Sequence, residues 1–498
     1  MQASRTIAKN TILLTFGVLA GRALGVLVIK KMWPVLGDEG IGIWGAATDL
    51  VAIILVMSNF GLGTLLTREI TRRKAMTLPL LWSAMKLRWL VGAVGYLFLV
   101  AFARYHGFSD LKTAAYLVTG LAIFVESTSM ACDAVLQAHE KVQHQTIGQL
   151  VSAFVYFGLA FYALDAGYGL MGIVWSNAIS RLVRLLVMVP LMLRYTGPWR
   201  WRDPEGGPTP SIGDMVKLGF PLFLATTFGI LYNKIDTVML GTMLGDVTAG
   251  IYVLGHRALD IMIIVPGLFG TALFPALARY GQQSNEDARR LGERSLRFMM
   301  VVIMPLTLFL MFTADPIVSW LSDYGNSPDS VTILQIVIWG LPLQAAAIIF
   351  SRLLITANQE KVFVRIGLGS MLMNVVLNVI LIPRYSYFGA SAATIASMTV
   401  SFLLHYYFVR QTELRSPVMR SLLGPTLALV SAWGVTALGL GQFYPAWNIS
   451  WRYLPVHEGW AAFLVPCAVM TTMYVAALAA FRVFGRDDLN LLRSLRRS

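Results

Sequence analysis

Residues 36–44 read LGDEGIGIW, and residues 244–252 read LGDVTAGIY. Both stretches begin with Leu-Gly-Asp and continue, after three further residues, with Gly-Ile and an aromatic residue, at a constant offset of 208 positions. A second repeat, Glu-Lys-Val at residues 140–142 and 360–362, has an offset of 220. Both copies of the first stretch lie between long apolar segments, so the chain contains two fused bundles of similar build. An internal repeat of this kind in a polytopic membrane protein is typical of a transporter with a site near the membrane midplane.

Composition places the chain in a lipid bilayer. Of its 498 residues, 56% are hydrophobic and 13% are charged, whereas soluble domains contain about 25% charged residues. A membrane-spanning helix needs about 20 predominantly apolar residues, and the apolar segments of this chain predict about fourteen such helices. We therefore expect an all-α polytopic membrane protein with two pseudo-symmetric six-helix lobes and two additional C-terminal helices.

A segment rich in proline and glycine separates the two predicted lobes. It covers residues 196–213, and its composition does not support regular helix. We predict an N-lobe at 1–195, a cytoplasmic linker at 196–213, a C-lobe at 214–410, and the last two spans with a basic tail at 411–498. Because six spans return the chain to the same side, the two lobes have the same orientation.

The basic residues determine the predicted topology. The chain carries 40 lysines and arginines against 26 acidic residues, for a net charge of +14. These residues lie in alternate loops and not in one patch, which argues against nucleic acid as a partner. With the N-terminus in the cytoplasm, most of them face inward, as the positive-inside rule requires, with Lys30 and Lys31 as exceptions. We expect a multi-pass protein of the plasma (inner) membrane with both termini in the cytoplasm.

Ionisable side chains inside the spans are the candidates for function, because such charges normally face a water-filled cavity or a partner. Arg22 lies in the middle of the first span, among glycine, alanine and aliphatic residues. A guanidinium stays protonated and binds phosphate oxygens in a bidentate manner, which favours a cavity role for Arg22. Asp49 and Arg257 occupy equivalent positions of the repeat with opposite charges. We hypothesise that they approach across the central cleft in one state and separate in another.

The other polar residues of the spans leave alternatives open. Carboxylates that are candidates for coupling a proton or a sodium ion are Asp49, Asp236, Asp260 and Glu126, and the sequence does not select among them. Lys234 either contributes to phosphate binding or neutralises its neighbours. Arg181 and Arg184 are interpreted as structural or snorkelling residues. Amide side chains that contact either sugars or other helices are Asn233, Asn374 and Asn378.

Sequence signatures of enzymes and cofactor sites are not found. The glycine pairs at 61–63 and 367–369 lack the third glycine and the preceding strand of a dinucleotide loop, and neither a Walker lysine motif nor H-E-x-x-H occurs. The two cysteines, Cys132 and Cys467, lie in separate predicted spans and indicate neither a disulfide nor a metal site. We expect a transporter and not an enzyme, with no cofactor or metal, and with coupling to H⁺ or Na⁺ left open.

A set of short motifs in a fixed order points to a family. They are Gly21-Arg22 with Leu24-Gly25, the Leu-Gly-Asp turn at 36–44, NFGLG at 59–63 followed by Thr67-Arg68-Glu69, and GASAA at 389–393. In these features the chain resembles, over about its whole length, the polysaccharide-transporter branch of the multidrug/oligosaccharidyl-lipid/polysaccharide (MOP) exporter superfamily. The resemblance implies two six-helix lobes around a central cavity and alternating access. It also implies flipping of an undecaprenyl-diphosphate-linked oligosaccharide, as an O-antigen, capsule or exopolysaccharide repeat unit, to the outer leaflet.

The resemblance further implies roles for individual residues. Arg22 matches the first-span arginine that lipid-linked members place in the cavity, and Arg257 matches a basic position that recurs in span 8. Together with Lys234, these residues are predicted to bind the diphosphate. The expected partners are the lipid-linked glycan, the bilayer, and polysaccharide polymerase or synthase machinery. A monomer is expected, because the fused repeat needs no second copy to form a pathway.

Two sister functions are the alternatives. Lipid II flippases of peptidoglycan synthesis also have fourteen spans, but their arginine-aspartate end to span 1 is replaced here by Lys30-Lys31, and their acidic-aromatic opening of span 2 is replaced by IGIW at 41–44. Cation-coupled multidrug exporters usually have twelve spans and an acidic residue in span 1, where this chain has Arg22. Lipid II flipping is therefore the main alternative, and drug export is less favoured.

Overall fold

A computed structural model describes residues 2–196, 211–322, 328–415, 423–432, 434 and 471–480, with side chains from residue 17 onward, except that of residue 75. The regular elements in these ranges are helices. In chain order they are α1 (Gln2–Asn59), α2 (Leu62–Arg72), α3 (Thr77–Tyr105), α4 (Asp110–Ala138), α5 (Val142–Asp165), α6 (Gly169–Leu193), α7 (Ile212–Met243), α8 (Asp246–Met262), α9 (Ile264–Gln283), α10 (Asn285–Phe312), α11 (Ala314–Leu321), α12 (Pro328–Val337), α13 (Gly340–Thr356), α14 (Val362–Arg410), α15 (Leu423–Ala432) and α16 (Thr471–Ala480). A short 3₁₀ turn, Lys74–Met76, precedes α3.

Ten segments of the described chain are long and apolar enough to cross a membrane. The predicted all-α membrane fold is therefore confirmed. α1 has 58 residues and a backbone kink at Gly37, and α14 has 49 residues and a kink at Ser386. Since about 20 residues cross a bilayer, each of these two helices is long enough for two spans. The count of fourteen stays a prediction, because most of the last two predicted spans and most of the linker lie outside the described residues.

Two compact units are defined by the contacts among the described residues. The first unit comprises Met1–Leu254, Leu321–Gly325 and Phe363–Ala393, and the second comprises Gly255–Trp320, Asn326–Val362 and Thr394–Ser498. The predicted lobe boundaries, with the linker at 196–213, stay a prediction.

The core of the first unit is built from helices whose apolar residues recur every three or four positions. In α2, Leu62, Leu65, Leu66 and Ile70 form one buried face. This face packs on buried residues of α3, α4 and α6. A second cluster joins α1, α4, α6 and α7, and its members include Ala46, Tyr116, Val174 and Val238.

The second unit packs α13 closely against α9, α10 and α14. Phe350 of α13 is fully buried, and its ring centroid lies 5.9 Å from that of Phe402 and 6.1 Å from that of Tyr406. His405 also belongs to this core. Its Nδ1 lies 2.8 Å from the carbonyl oxygen of Ser401 and its Nε2 lies 3.0 Å from the Ser351 hydroxyl.

The two copies of the Leu-Gly-Asp stretch meet within the first unit. A methyl group on Gly42 would overlap the carbonyl oxygen of Asp246, and one on Gly250 would overlap the carbonyl oxygen of Asp38. The two contacts are reciprocal, because Gly42 and Asp38 are offset by 208 positions from Gly250 and Asp246. Only glycine leaves room for a backbone approach this close. The repeated motif therefore forms part of the surface through which α1 and α8 contact each other.

Candidate functional site

An ion pair between α1 and α7 lies within the membrane-spanning helices. Lys234 Nζ is 3.2 Å from Asp49 Oδ1, and the two side chains are 26% and 15% exposed, respectively. Asn233 is the neighbour of Lys234 and is exposed. The Asn233 side-chain amide donates a hydrogen bond of 2.7 Å to the carbonyl oxygen of Gly229. A partly exposed lysine and an exposed amide therefore occupy consecutive positions of α7.

The two predicted phosphate-binding arginines lie in different units. Arg22 of α1 is exposed, and no carboxylate among the described side chains forms an ion pair with it. Arg257 belongs to α8 and to the second unit. Its guanidinium is 4.0 Å from Asp260, one turn further along the helix, and His256 Nδ1 is 3.4 Å from the same carboxylate. Asp260 therefore contacts two basic side chains of its own helix.

A buried carboxylate, Asp236, connects α7, α8 and α14. The Tyr252 hydroxyl donates to Asp236 Oδ2 at 3.1 Å, and the Asn378 amide donates to Asp236 Oδ1 at 2.7 Å and to Asn374 Oδ1 at 3.0 Å. Asp236 is 4% exposed, and both asparagines are fully buried. The structure thus places Asn378 in a contact between helices, and Asn374 accepts a hydrogen bond from Asn378 within α14. Asn378 Oδ1 receives no hydrogen bond from any described residue.

Glu126 belongs to a charge network between α4 and α6. Arg184 contacts Glu126 through Nη1, and its Nη2 lies 2.6 Å from Asp133 Oδ2. Arg181 lies 3.6 Å from Glu126 and receives further support from Asn177, which accepts a hydrogen bond of 2.8 Å. Arg184 is buried, so it does not snorkel to the interface. Two acids and two arginines balance one another here, which favours a structural role for this network.

Arg88 of α3 was not identified by the sequence reasoning. Its side chain is fully buried, and it donates to Asn59 Oδ1 at 2.6 Å and to the carbonyl oxygen of Ser127 at 2.8 Å. Asn59 ends α1 directly before Phe60 and Gly61, whose φ angles are 48° and 67°. Arg88 therefore fixes the turn between α1 and α2. The available signal was an arginine well inside an otherwise apolar segment.

Two further lysines outside the predicted site are paired. Lys112 Nζ lies 2.7 Å from Asp246 Oδ1 and 4.0 Å from the Phe108 ring centroid. Lys112 is thus bound to the aspartate of the second Leu-Gly-Asp stretch. Lys31, an exception to the positive-inside rule, lies 2.7 Å from Asp165 Oδ1, so its charge is neutralised locally.

A second alignment of the repeat contains a signal that the sequence reasoning missed. At an offset of 212, Thr-Phe-Gly at 15–17 matches Thr-Phe-Gly at 227–229, and Leu19 matches Leu231. The same offset aligns Arg22 with Lys234. These two cations are therefore equivalent positions of the first spans of the two repeats.

Long apolar helices, an internal repeat and basic side chains within the spans are typical of a polytopic membrane transporter. The model of the family described as "Polysaccharide biosynthesis protein" matches residues 7–281, more than half of the sequence, and the chain belongs to that family. The MatE family model matches residues 221–380. The predicted membership of the polysaccharide-transporter branch is confirmed.

Several known proteins are similar to this chain. The probable low-salt glycan biosynthesis flippase Agl15 of Haloferax volcanii is 22% identical over 409 residues, which cover 81% of this chain and 83% of that protein. The solved structure of the lipid II flippase MurJ in an inward closed conformation superposes with a TM-score of 0.72 and 15% identity, and it covers 95% of this chain and 99% of that chain. An inward-facing multidrug resistance MATE family transporter superposes with a TM-score of 0.59 and 13% identity, over 81% of this chain and 93% of that one. At these identities the two superpositions show the fold.

Proposed function

We propose that this protein flips an undecaprenyl-diphosphate-linked oligosaccharide, as an O-antigen, capsule or exopolysaccharide repeat unit, across the plasma (inner) membrane by alternating access. The observation that carries the proposal is the exposed Arg22 inside an apolar span. An arginine at this depth is costly unless it faces a polar cavity or an anion. The relative Agl15 is named as a flippase of glycan biosynthesis, which supports a lipid-linked glycan as the substrate class.

The diphosphate is the part of the substrate for which the protein must provide a polar path across the membrane. Its charges cannot enter hydrocarbon unaided, whereas the lipid tail stays in the bilayer throughout. In this proposal Arg22, Arg257 and Lys234 contact the phosphates. Arginine supplies a planar bidentate donor set, and lysine supplies a single mobile charge on a flexible stem. We assign contact with the first sugar to Asn233, which is exposed beside Lys234.

Asp236 is the carboxylate that we assign to ion coupling. Two neutral side chains, Tyr252 and Asn378, hydrogen-bond to it, and the residue is 4% exposed. Asn378 Oδ1 is buried close by without a donor among the described residues. A carboxylate and an amide oxygen are ligands suited to a hard cation, and a lone proton on the carboxylate would neutralise it equally. Coupling to Na⁺ or H⁺ therefore belongs to this proposal.

The experiment that tests the function is a flipping assay in sealed proteoliposomes. Undecaprenyl-diphosphate oligosaccharide, lipid II and a cationic dye are supplied in parallel to the wild type and to Arg22→Ala. Arg104→Ala serves as the matched control, because Arg104 is exposed at the end of α3. We expect movement of the oligosaccharide lipid alone, loss of this movement in Arg22→Ala, and normal movement in Arg104→Ala.

Other results would replace the proposal by a named alternative. Movement of lipid II alone would identify a lipid II flippase, and dye export without lipid movement would identify a drug exporter. Normal flipping by well-expressed Arg22→Ala, Arg257→Ala and Lys234→Ala variants would remove the phosphate-binding assignment.

The orientation and the partners are part of the same proposal. Both termini lie in the cytoplasm, the chain functions as a monomer, and polysaccharide polymerase or synthase machinery takes up the flipped product. Reporter fusions at each end test the topology: enzymes active only in the cytoplasm are expected to be active at both termini.

A further inference from the structure

We propose that Asp49 is an internal substitute for the substrate phosphate, bound to Lys234 when no substrate is present and displaced when the diphosphate binds. The inference rests on the proposed function, because it concerns how Lys234 receives the anion. It makes Asp49 a positioning residue that sets the affinity for the substrate through competition.

The first support is the geometry of the pair. The two charged atoms are 3.2 Å apart, a distance at which Asp49 occupies one side of the ammonium group. The lysine side chain remains 26% exposed. By contrast, the Lys112 side chain in its pair with Asp246 is 9% exposed, and the Arg184 side chain in its network is 10% exposed. The cation of the Lys234 pair is therefore more accessible to an incoming anion than the cations Lys112 and Arg184 are.

The second support is what lies beside Lys234. Asn233 precedes it on α7 and is exposed, whereas Asp236, two positions later, is buried. The exposed side of α7 at this level therefore carries an amide and an ammonium group. Lysine has three donors and a flexible four-carbon stem. Its ammonium group can leave one carboxylate oxygen for a phosphate oxygen without any movement of the helix.

The third support is the asymmetry of the repeat. Lys234 is equivalent to Arg22 at an offset of 212, and Asp49 is equivalent to Arg257 at an offset of 208. The position that carries an acid in the first repeat therefore carries a cation in the second. The pair of Lys234 and Asp49 therefore contains an acid, whereas the equivalent pair of Arg22 and Arg257 consists of two cations. Asp49 thus supplies Lys234 with a counter-charge at the position where the other repeat carries an arginine.

The two possible roles of Asp49, competing with the phosphate for Lys234 or holding Lys234 in position, predict opposite changes in diphosphate affinity when its carboxylate is removed. If Asp49 competes with the phosphate, Asp49→Asn removes the competitor and binding of diphosphate becomes tighter, by about 2- to 5-fold for a partly exposed ion pair. If Asp49 only holds Lys234 in position, the same change leaves the lysine less ordered and binding becomes weaker. Competition also predicts slower flipping by Asp49→Asn at saturating substrate. Without the carboxylate, no internal anion displaces the phosphate from Lys234, so release of the phosphate is slower.

The test measures binding of inorganic pyrophosphate and of farnesyl diphosphate to the purified full-length protein in nanodiscs, by titration calorimetry at fixed salt. The variants are Asp49→Asn, Asp49→Glu and Lys234→Ala. Asp165→Asn is the matched control, since it removes the acid of another Lys–Asp pair of the first unit, that of Lys31 and Asp165. We expect tighter binding by Asp49→Asn, near wild-type binding by Asp49→Glu and Asp165→Asn, and weaker binding by Lys234→Ala.

The outcomes separate this inference from the proposed function. Unchanged or weaker binding by Asp49→Asn, with binding still lost in Lys234→Ala, overturns the competition and leaves the phosphate role of Lys234 intact. Failure of the wild type to bind either diphosphate contradicts the proposed function itself. If Asp49→Asn does not purify as a monodisperse protein, Asp49→Ser removes the same carboxylate and is expected to show the same increase in affinity.

Discussion

Gly42 lies against the backbone carbonyl group of Asp246, with no room between them for a side chain. The repeat-equivalent residues, Gly250 and Asp38, make the same contact. Backbone therefore meets backbone at the point where the two copies of the Leu-Gly-Asp stretch contact each other. This approach brings α8 to α1 near Asp246, the residue that also binds Lys112.

Substitution of Gly42 by alanine is expected to destabilise this contact. The added methyl group would overlap a backbone oxygen, which cannot move aside as a flexible side chain can, and overpacking of this kind costs about 1–3 kcal/mol. Gly158→Ala is the control, because a methyl group there meets no atom within 4 Å. Thermal unfolding in detergent should show a lower midpoint for Gly42→Ala only. Equal midpoints for the two variants would contradict the close contact between Gly42 and the Asp246 carbonyl group.

Removal of the buried Arg88 side chain is expected to loosen the turn between α1 and α2. Arg88→Met keeps much of the volume but leaves the acceptors of Asn59 and Ser127 without their donors, which costs about 1–3 kcal/mol. The exposed residue Arg104 provides the comparison, since Arg104→Ala should change stability by less than about 0.5 kcal/mol. Limited proteolysis should cut Arg88→Met faster near Phe60. A proteolysis pattern identical to that of the wild type would exclude this role.

Asp236→Asn is expected to uncouple transport from the ion gradient while leaving diphosphate binding in place. The amide keeps the size of the carboxylate but cannot take up a proton, and it is a poorer cation ligand. Flipping in proteoliposomes with imposed Na⁺ or H⁺ gradients measures the effect. Asp165→Asn, which alters an exposed carboxylate, should respond to the gradient as the wild type does. Continued stimulation of Asp236→Asn by the same gradient would mean that another group couples the ion.

The ion pair of Lys112 and Asp246 offers a test by charge exchange. Asp246→Ala leaves a largely buried lysine without its described partner, a change that costs about 3–5 kcal/mol in buried pairs. The exchange Lys112→Asp with Asp246→Lys should recover part of this loss. A double-mutant cycle on the unfolding midpoints isolates the interaction of the pair. Additive effects of the two single substitutions would show that the pair contributes no interaction energy.

The repeat and the hydropathy pattern were enough to predict the helical membrane fold, because both can be read from continuous stretches of sequence without knowing which distant residues are in contact. Pairings between distant residues were harder to predict. Asp236 and Asn378 are separated by 142 positions, and nothing in either local sequence indicates the other. For Lys234 a signal existed, since the alignment of Thr-Phe-Gly at 15–17 and 227–229 makes it the equivalent of Arg22. Arg88 remained hidden because its acceptors are a neutral amide and a carbonyl group, so no opposite charge points to it.

The contacts near the two ends of α7 bear on the order in which the helices assemble during synthesis. Near its start, Phe223 stacks on Phe60 with 4.4 Å between ring centroids, and near its end Gly241 lies against Ala46. All six helices that precede α7 in the chain have been synthesised when it leaves the ribosome, and domains fold from the N-terminus during synthesis. The residues that α7 contacts near both of its ends, Phe60 and Ala46, have therefore been synthesised before α7 itself. We therefore expect α7 to pack on helices of the first repeat before the rest of the second repeat has been synthesised.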